Sequence, residues 1–213
     1  MLRAAVALAD EAGIEAVSMR KLAEELGVVP MAAYKHVAGK DELLDGMVDI
    51  VVGEIDPPAG GADWKSAARQ RILSARRSMQ RHSWAPAVID SRTSPSPAML
   101  AYLDSMIAIF RAGGFSADLT HHALHAIGSR LYGFSPDVLD DSQRIDPRTR
   151  ATLVRQMKGR YPHIADLLGA VYHDAASAAG QGCDDQVEFE FALDLLLDGL
   201  ERLLRSDPAQ RHG

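Results

Sequence analysis

The chain has 213 residues, of which 47% are hydrophobic and 24% charged, so its composition is that of a globular protein able to bury one or two cores. Apolar runs such as 47–52 and 193–197 are shorter than the roughly 20 residues of a membrane span, and no signal segment is expected ahead of the first helix. The single cysteine, Cys183, excludes an internal disulfide and a cysteine-based zinc site, so we expect a cytoplasmic protein without a membrane partner.

Negative charge is concentrated near the amino terminus. Residues 1–56 contain five Lys and Arg against eleven Asp and Glu, whereas the rest of the chain balances at eighteen of each. By itself this pattern argues against nonspecific nucleic-acid binding, because neutralising phosphates needs a basic surface. Within 17–40, however, four basic residues stand against two acidic ones, so a small local surface can still be positive.

Apolar residues recur at spacings of three and four almost throughout, and no sustained alternation indicates a strand, so the predicted fold is all-α. The amino-terminal pattern predicts a helix at about 2–12 ended by Gly13, a helix at 19–26 capped by Ser18 and ended by Gly27, and two more helices. The third begins at Pro30 and reaches about Val37, and the fourth follows Gly39 with Asp41 and Glu42 in its first turn.

A break in composition at 56–61, Asp-Pro-Pro-Ala-Gly-Gly, predicts a boundary between domains at 1–56 and 62–206. Beyond it the sequence predicts loops at 91–97, 135–146 and 175–182. The further predicted helices cover about 64–82, 97–112, 117–134, 147–158, a short segment after Pro162, and 185–204.

Three helices within about 40 residues, with a glycine-centred turn between the second and third, predict a helix-turn-helix unit. Residues 8–28 (LADEAGIEAVSMRKLAEELGV), 33–37 (AYKHV) and 40–44 (KDELL) resemble the DNA-binding domain of TetR-family repressors. The resemblance implies that the third helix enters the major groove. It also implies that Ser18 presents the start of the second helix to a phosphate, and that Tyr34, His36 and Lys40 contact phosphates.

The front of the third predicted helix departs from the family pattern, because Val29, Pro30, Met31 and Ala32 offer no side-chain hydrogen bond. Met31 and Ala32 can contact thymine methyl groups, which leaves polar base contacts to Arg20 and Lys35. Family members usually have residues ahead of the first helix, often basic; here either the sequence is truncated or the protein manages without a basic arm. The predicted DNA-binding set is Ser18, Met19, Arg20, Pro30, Met31, Ala32, Tyr34, Lys35, His36 and Lys40.

The remainder resembles, more weakly, the regulatory domain of tetracycline-repressor-like proteins, through residues 63–65, 81–84, 114–116, 132–134 and 189–203. The resemblance implies a small-molecule effector bound within a helical bundle, and a dimer formed through two helices per subunit. The apolar surface of the last helix independently favours a homodimer interface with the 117–134 helix, although Leu193–Leu204 can also be read as ordinary core. The predicted effector-binding residues are adaptable apolar side chains with a few polar groups: Met79, His82, Trp84, Met99, Leu103, Met106, His122 and His125.

His121 and His125 lie one helical turn apart and raise the alternative of a metal-dependent hydrolase. The pattern lacks the glutamate of a His-Glu-x-x-His site and offers no third ligand, so we expect no metal, no cofactor and no enzymatic activity.

The favoured interpretation is a homodimeric, ligand-responsive transcriptional repressor that leaves a palindromic operator when its effector binds. A third alternative is an interaction module whose amino-terminal domain does not read DNA.

Overall fold

The computed structural model describes residues 1–29, 31, 37–58, 60–132, 147–166 and 185–206, and every regular element in these ranges is helical, which confirms the all-α prediction. The α-helices are α1 (Leu2–Ala12), α2 (Met19–Glu25), α3 (Lys40–Gly53), α4 (Trp64–Arg81), α5 (Ala85–Ser91), α6 (Pro97–Ala112), α7 (Ala117–Tyr132), α8 (Pro147–Met157) and α9 (Asp185–Ser206), with a short 3-10 turn at Ile14–Ala16. None of these helices is long and apolar enough to cross a membrane.

Helix starts follow the capping signals of the sequence. The Ser18 hydroxyl accepts a hydrogen bond from the Lys21 amide at 3.2 Å and opens α2. A carboxylate oxygen of Asp63 accepts bonds from the amides of Lys65 and Ser66, both at 3.0 Å, and opens α4. Each cap satisfies amides that have no partner inside the helix, so the predicted starts of these two helices are confirmed.

Two glycines form the turns that follow α1 and α2. Gly13 follows α1 with φ 82°, and Gly27 follows α2 with φ 65°. Both values lie in the left-handed region that other residues rarely adopt, so a glycine at each position lets the chain turn sharply after a short helix.

One helix was not anticipated from the sequence. Residues 85–91 form α5, with Pro86 in its first turn. Seven residues make too few turns for apolar periodicity to reveal a helix, and proline is compatible only with the helix start. The predicted third helix is described only at Met31 and Val37, and the predicted loops at 135–146 and 175–182 lie outside the described residues.

Contacts along the chain define two compact units. The first contains residues 1–132 and the chain from Leu197 onward, so it includes α1 to α7 and the end of α9. Within it, α3 packs against α1, α4, α5 and α6 and buries Leu43, Met47 and Val51 completely. The second unit spans 133–196, of which 147–166 and 185–196 are described. The predicted domain boundary at 56–61 stays a prediction.

Helices α4 and α6 run antiparallel and meet closely at one end. The ring of Trp64, the first residue of α4, lies against Gly113 just beyond α6, and a Cβ atom added there would come within 2.5 Å of the Trp64 Cγ. Trp64 also packs edge-on against Phe115 with ring centroids 4.7 Å apart, and Phe110 lies 5.1 Å from Phe115. The absence of a side chain at Gly113 is therefore what lets the indole reach these rings.

Candidate functional site

The predicted DNA-contacting residues that the structure describes stand at helix ends. Ser18 and Arg20 are exposed at the start of α2, next to half-buried Met19. Arg20 makes no hydrogen bond or ion pair with any other described residue, and the same holds for Lys40, the exposed first residue of α3. Unpaired cations beside helix amino termini are suited to binding phosphate or guanine. Five members of the predicted set lie outside the described residues: Pro30, Ala32, Tyr34, Lys35 and His36.

Large apolar side chains surround the turn after α2. Leu26 and Val28 are about half exposed, Val29 is 69% exposed and Met31 is 73% exposed. Leu22 and Ala23 of α2 are buried. The exposure of four large apolar side chains nearby does not stabilise the fold, because it leaves apolar surface in contact with water. Their exposure fits a surface that is covered by a partner, and apolar contact with thymine methyl groups is one established use of such side chains.

More than half of the acidic residues of 1–56 are directed toward residues 71–98. Six of the eleven accept hydrogen bonds or ion pairs from the 71–98 segment, and we call this set the acidic seam. Two of the remaining five, Glu24 and Glu25, pair with Lys21 at 3.6 and 3.5 Å, and Glu42 accepts a hydrogen bond from the Ala38 amide. The acidic seam consists of Asp10, Asp41, Asp45, Asp49, Glu54 and Asp56.

The most enclosed part of the acidic seam is built around His82, which is 7% exposed at the end of α4. Its Nδ1 lies 2.8 Å from Asp10 Oδ1, and its Nε2 lies 3.1 Å from Glu54 Oε2. The indole Nε1 of Trp84 donates to the same Asp10 oxygen at 2.7 Å, and Arg81 donates to Glu54 at 2.6 Å. Helix α1 and the end of α3 are thereby tied to the α4–α5 connection.

A second part of the acidic seam runs along the exposed side of α3. Arg92, just after α5, lies 3.0 Å from Asp41 and 2.7 Å from Asp45. One turn further, the Asp49 carboxylate accepts the Ala98 amide at 3.0 Å, next to the start of α6. A carboxylate at a helix start is favourable because it faces unpaired amides and the positive end of the helix dipole.

The third part lies at Asp56, beyond the end of α3. Its carboxylate accepts from the Ser74 hydroxyl at 2.8 Å and from Arg77 at 3.0 Å, and its carbonyl accepts from Arg71 at 2.5 Å. The Ser78 hydroxyl donates to the carbonyl of Val51 at 2.8 Å in the same region. One face of α4 is thus hydrogen-bonded to the last turn of α3 and to the residues after it.

These pairs shift the protonation of their members. Burial raises the pKa of the Glu54 carboxyl, but hydrogen bonds from Arg81 and His82 and the charges of both residues outweigh burial and bring it below its ordinary value. The hydrogen bond to Asp41 raises the pKa of Arg92 against a smaller opposing effect of burial, with Asp45 adding to the rise. Both directions favour the charged forms, as expected for ion pairs.

The predicted effector residues divide into three groups. Met79, Met99 and Met106 are buried and Leu103 is half-buried on α4 and α6. His82 and Trp84 are also buried but take part in the acidic seam. His122 and His125 are exposed on α7 of the protomer.

A buried cation on α4 was missed from the sequence. Arg71 is 7% exposed, its guanidinium lies 4.9 Å from the centre of the Tyr102 ring on α6, and its Nε has no hydrogen-bond partner. Burial lowers the pKa of Arg71, and no carboxylate in the described ranges forms an ion pair with it. Arginine within an otherwise ordinary amphipathic helix gives no sequence signal of burial, since arginine is rarely buried without a counter-charge.

The histidines of α7 do not form a metal centre within the described ranges. The rings of His121 and His125 lie 4.5 Å apart, centre to centre, and His122 lies 3.6 Å from Asp118 one turn away. No group of three potential metal ligands occurs among the described residues. Two exposed ligands on one helix leave a coordination shell incomplete.

Helix α9 carries apolar residues on more than one side. Phe189, Leu193 and Leu197 are buried, whereas Phe191 is 63% exposed and Leu195 is 53% exposed. At the end of the helix, Leu203 is 55% exposed next to buried Leu204. The core interpretation therefore accounts for one face of α9 only, and a second apolar face stays open in the protomer.

Comparison with known proteins covers both halves of the chain. Residues 1–47 match the family described as bacterial regulatory proteins, tetR family, and residues 57–204 match the tetracyclin repressor-like C-terminal domain. The HTH-type transcriptional repressor DrrR1 of Streptomyces coeruleorubidus is 30% identical over 217 residues, which cover 100% of this chain and 78% of the relative.

Two solved structures show the same fold. The TetR family protein ActR of Streptomyces coelicolor in complex with (S)-DNPA superimposes with a TM-score of 0.73 at 24% identity, covering 94% of this chain and 95% of that one. BioQ with its double-stranded DNA operator superimposes with a TM-score of 0.61 at 20% identity, covering 93% and 94%. Together with the two family matches, these comparisons show that the chain belongs to the TetR family of DNA-binding transcriptional regulators, with a carboxy-terminal domain of the tetracycline-repressor type.

Proposed function

We propose that the protein is a cytoplasmic, non-enzymatic repressor whose dimer binds a palindromic operator and is released by a small-molecule effector. In this proposal residues 1–56 form the DNA-binding domain and residues 62–206 form the effector-binding and dimerisation domain. The proposal is supported by the 30% identical relative, a transcriptional repressor, and by the two structural neighbours, of which one is bound to a ligand and the other to its DNA operator.

The observation that carries the DNA-binding part is the arrangement of charge in 1–56. The acidic seam turns six carboxylates toward 71–98, while Arg20 and Lys40 are exposed at helix starts and pair with no other described residue. Net charge therefore does not describe the surface that meets DNA. We propose that Arg20 and Lys35 make the polar base contacts and that Met31 and Ala32 contact thymine methyl groups. Ser18, Met19, Pro30, Tyr34, His36 and Lys40 complete the proposed interface.

We propose that the effector binds between α4 and α6, next to Arg71 and Tyr102. Met79, Met99, Leu103 and Met106 lie on the same two helices and supply the adaptable apolar lining that small-molecule sites use. A buried guanidinium that forms no ion pair with a carboxylate of the described ranges favours an effector with an acidic group, such as a carboxylate or an acidic phenol. His122 and His125 contribute in this proposal only once a second subunit covers α7.

The exposed apolar residues of α9 support a homodimer through α7 and α9. Phe191, Leu195 and Leu203 would be buried against the second subunit. Aspartate at both Phe191 and Leu195 is expected to give a monomer in sedimentation equilibrium, while the same exchange at exposed Leu100 of α6 leaves the association state unchanged. A dimer of the doubly substituted chain would contradict this interface.

The test of the function is selection of bound sequences from random double-stranded DNA by the purified full-length protein, followed by affinity measurements between about 50 and 200 mM salt. We expect a selected site with two-fold symmetry whose half-sites are about one helical turn apart, and a steep loss of affinity with salt. No enrichment over the starting pool would contradict DNA binding. Stoichiometric metal in the purified protein, with loss of operator binding in His121→Ala, would contradict the proposal in favour of a metal site.

A further inference from the structure

The buried guanidinium of Arg71 contacts two different parts of the first compact unit. Arg71 lies on α4 and is 7% exposed, and its Cζ is 4.9 Å from the centre of the Tyr102 ring on α6. Its Nη1 donates a hydrogen bond to the carbonyl of Asp56 at 2.5 Å, just beyond the end of α3. One side chain therefore joins the proposed effector site to the segment that follows α3.

The opposite edge of the same guanidinium is formed by Nε and Nη2. Nε is buried, and neither nitrogen donates to a residue that the structure describes. In arginine, Nε–H and one N–H of Nη2 point in the same direction, and together they match the two oxygens of a carboxylate. A buried donor without an acceptor is unfavourable, so a ligand that supplies two oxygens to the Nε–Nη2 edge gains affinity from it.

Asp56 is held to α4 by more than Arg71. Its amide donates to the Ser74 hydroxyl at 2.9 Å, and its carboxylate accepts from the same hydroxyl at 2.8 Å and from Arg77 at 3.0 Å. The Arg77 side chain is 53% exposed, whereas Arg71 is buried against α6. Of the two arginines on Asp56, Arg71 is thus the one placed to meet a ligand between α4 and α6.

We propose that Arg71 couples the effector to DNA binding through two sides of one guanidinium: the Nε–Nη2 edge holds a carboxylate of the effector while Nη1 holds the Asp56 carbonyl. This inference rests on the proposed effector site. It adds the way in which the acid is held, side-on by two parallel hydrogen bonds, and the positioning residue that transmits its binding.

The coupling follows from the rigidity of the guanidinium. Because the group is planar, a carboxylate that draws the Nε–Nη2 edge displaces Nη1 as well. A charge-assisted bond to a carboxylate is stronger than a bond to a neutral carbonyl, so the bound acid determines where the group lies. Asp56 then follows Nη1 or loses its bond, and the end of α3 is held differently with and without the acid. Lys40, a proposed phosphate contact, begins the same helix, so operator affinity changes with it.

The first test needs no DNA. ¹H–¹⁵N NMR spectra of the labelled full-length protein are recorded with benzoate, 2-naphthoate and octanoate, each beside its primary amide as the uncharged control. We expect an acid to shift the Arg71 Nε–H signal, which Arg71→Lys identifies by its loss, and to shift the Asp56 amide signal as well.

The same titration gives the affinity of the acid. Arg71→Met is expected to weaken it at least about tenfold, because two charge-assisted bonds are lost. Arg77→Met removes the exposed arginine from the same Asp56 and should bind the acid as the wild type does. Should Arg71→Met fail to fold, Arg71→Lys keeps the charge but lacks the Nε–Nη2 edge, and its affinity is expected to fall too.

Two results of these titrations would overturn the proposal. One is that the wild type binds none of the acids, or binds them no better than their amides. The other is that an acid shifts the Arg71 Nε–H signal and leaves the Asp56 amide unchanged, since the guanidinium would then not link the acid to the end of α3.

The second test rests on the proposed function and uses the selected operator with the acid that binds most tightly. At saturation the acid is expected to weaken operator binding by the wild type at least about fivefold. In Arg71→Lys, at a concentration that saturates the variant, the loss should be less than about twofold, because a flexible ammonium does not link two partners rigidly. Arg77→Lys is the matched control and should keep the effect seen in the wild type.

Equal losses of operator affinity in the wild type and Arg71→Lys would overturn the proposal, as would an acid that binds the wild type without changing its operator affinity. If the protein binds no DNA, the proposed function fails, while the NMR titration still decides whether Arg71 links the acid to Asp56.

Discussion

The first 56 residues have two surfaces of opposite character. Toward the rest of the first compact unit they present carboxylates, and six of these accept hydrogen bonds or ion pairs from 71–98. Around the turn after α2 they present apolar side chains, and at the starts of α2 and α3 stand Arg20 and Lys40, which pair with no residue that the structure describes. The comparison teaches that a charge count over a segment says little about function until the direction of each charge is known.

The two surfaces also differ in how they contribute to stability. The acidic seam has partners in the folded protomer, so removing a carboxylate leaves a donor without an acceptor. Arg20 and Met31 form no hydrogen bond or ion pair with the described part of the protomer, so substitutions there are expected to leave folding unchanged and to alter DNA binding. Four predictions test this division.

The largest effect is expected at Asp10, which accepts from both His82 and Trp84. Asp10→Ala should lower the free energy of unfolding by about 2–3 kcal/mol, because two nearly buried donors lose their acceptor. Urea denaturation monitored by circular dichroism measures the loss. Its exposed neighbour Glu11, which has no hydrogen-bond or ion-pair partner among the described residues, supplies the control, and Glu11→Ala should stay within about 0.5 kcal/mol of the wild type. Equal losses in the free energy of unfolding of Asp10→Ala and Glu11→Ala would contradict the stabilising role of Asp10 as an acceptor.

Arg20 tests the other surface. Arg20→Ala should bind the selected operator more weakly and relax discrimination at one base pair by about 1–3 kcal/mol, while unfolding like the wild type. Binding is measured across single-base variants of the operator. A uniform loss at every position would mean that Arg20 contacts phosphate and reads no base, and a loss of stability would mean that the two surfaces are not separable.

A smaller effect is expected at Arg92, which is paired with Asp41 and Asp45 on the exposed side of α3. Arg92→Ala should cost about 0.5–1 kcal/mol of stability, since the Asp41 carboxylate is exposed and the Asp45 carboxylate is only half-buried. Arg3→Ala removes an exposed cation of α1 that pairs with nothing in the described ranges, and it should cost no measurable stability. Raising the salt concentration should reduce the difference in the free energy of unfolding between Arg92→Ala and the wild type, because salt screens ion pairs. A difference that grows with salt would argue against an ionic origin.

The smallest effect concerns pH. The pKa of Glu54 is lowered in the folded chain from its ordinary value of 4.5, so the stability it contributes is present above that value and lost as the pH falls through the folded pKa. Glu54→Gln should therefore be less stable than the wild type near neutral pH, with a difference that shrinks on acidification. Urea midpoints at several pH values measure it, with Glu15→Gln as the exposed control. A constant difference would show that the charge of Glu54 is not responsible.

The helices themselves followed closely from the sequence. Ser18 and Asp63 cap the helices that follow them, and α6 spans Pro97–Ala112 as predicted, with a cap at Ser96 that the sequence analysis did not single out. The exception is α5, because seven residues with proline in the first turn carry no periodic signal. The family resemblance was likewise confirmed, since its motifs are local runs of sequence.

Contacts between residues far apart in the chain could not be predicted from the sequence. His82 and Trp84 belong to the predicted effector-binding set, and nothing in their spacing points to Asp10, which lies 72 and 74 positions away. Arg71 was not singled out at all, because its burial follows from how α4 and α6 meet and has no trace in the α4 sequence. Contact between an effector and Met79, Met99, Leu103 and Met106 of the predicted effector-binding set is still a prediction.

The sequence by itself determined the helices, their caps and the family, because these depend on residues close together in the chain. Only the tertiary structure decided where the charges point. Eleven acidic residues in 1–56 look like an obstacle to DNA binding until six of them are found to meet partners from 71–98. Electrostatic energy depends on distance and burial between particular groups, and those quantities exist only once α1 and α3 pack against α4, α5 and α6.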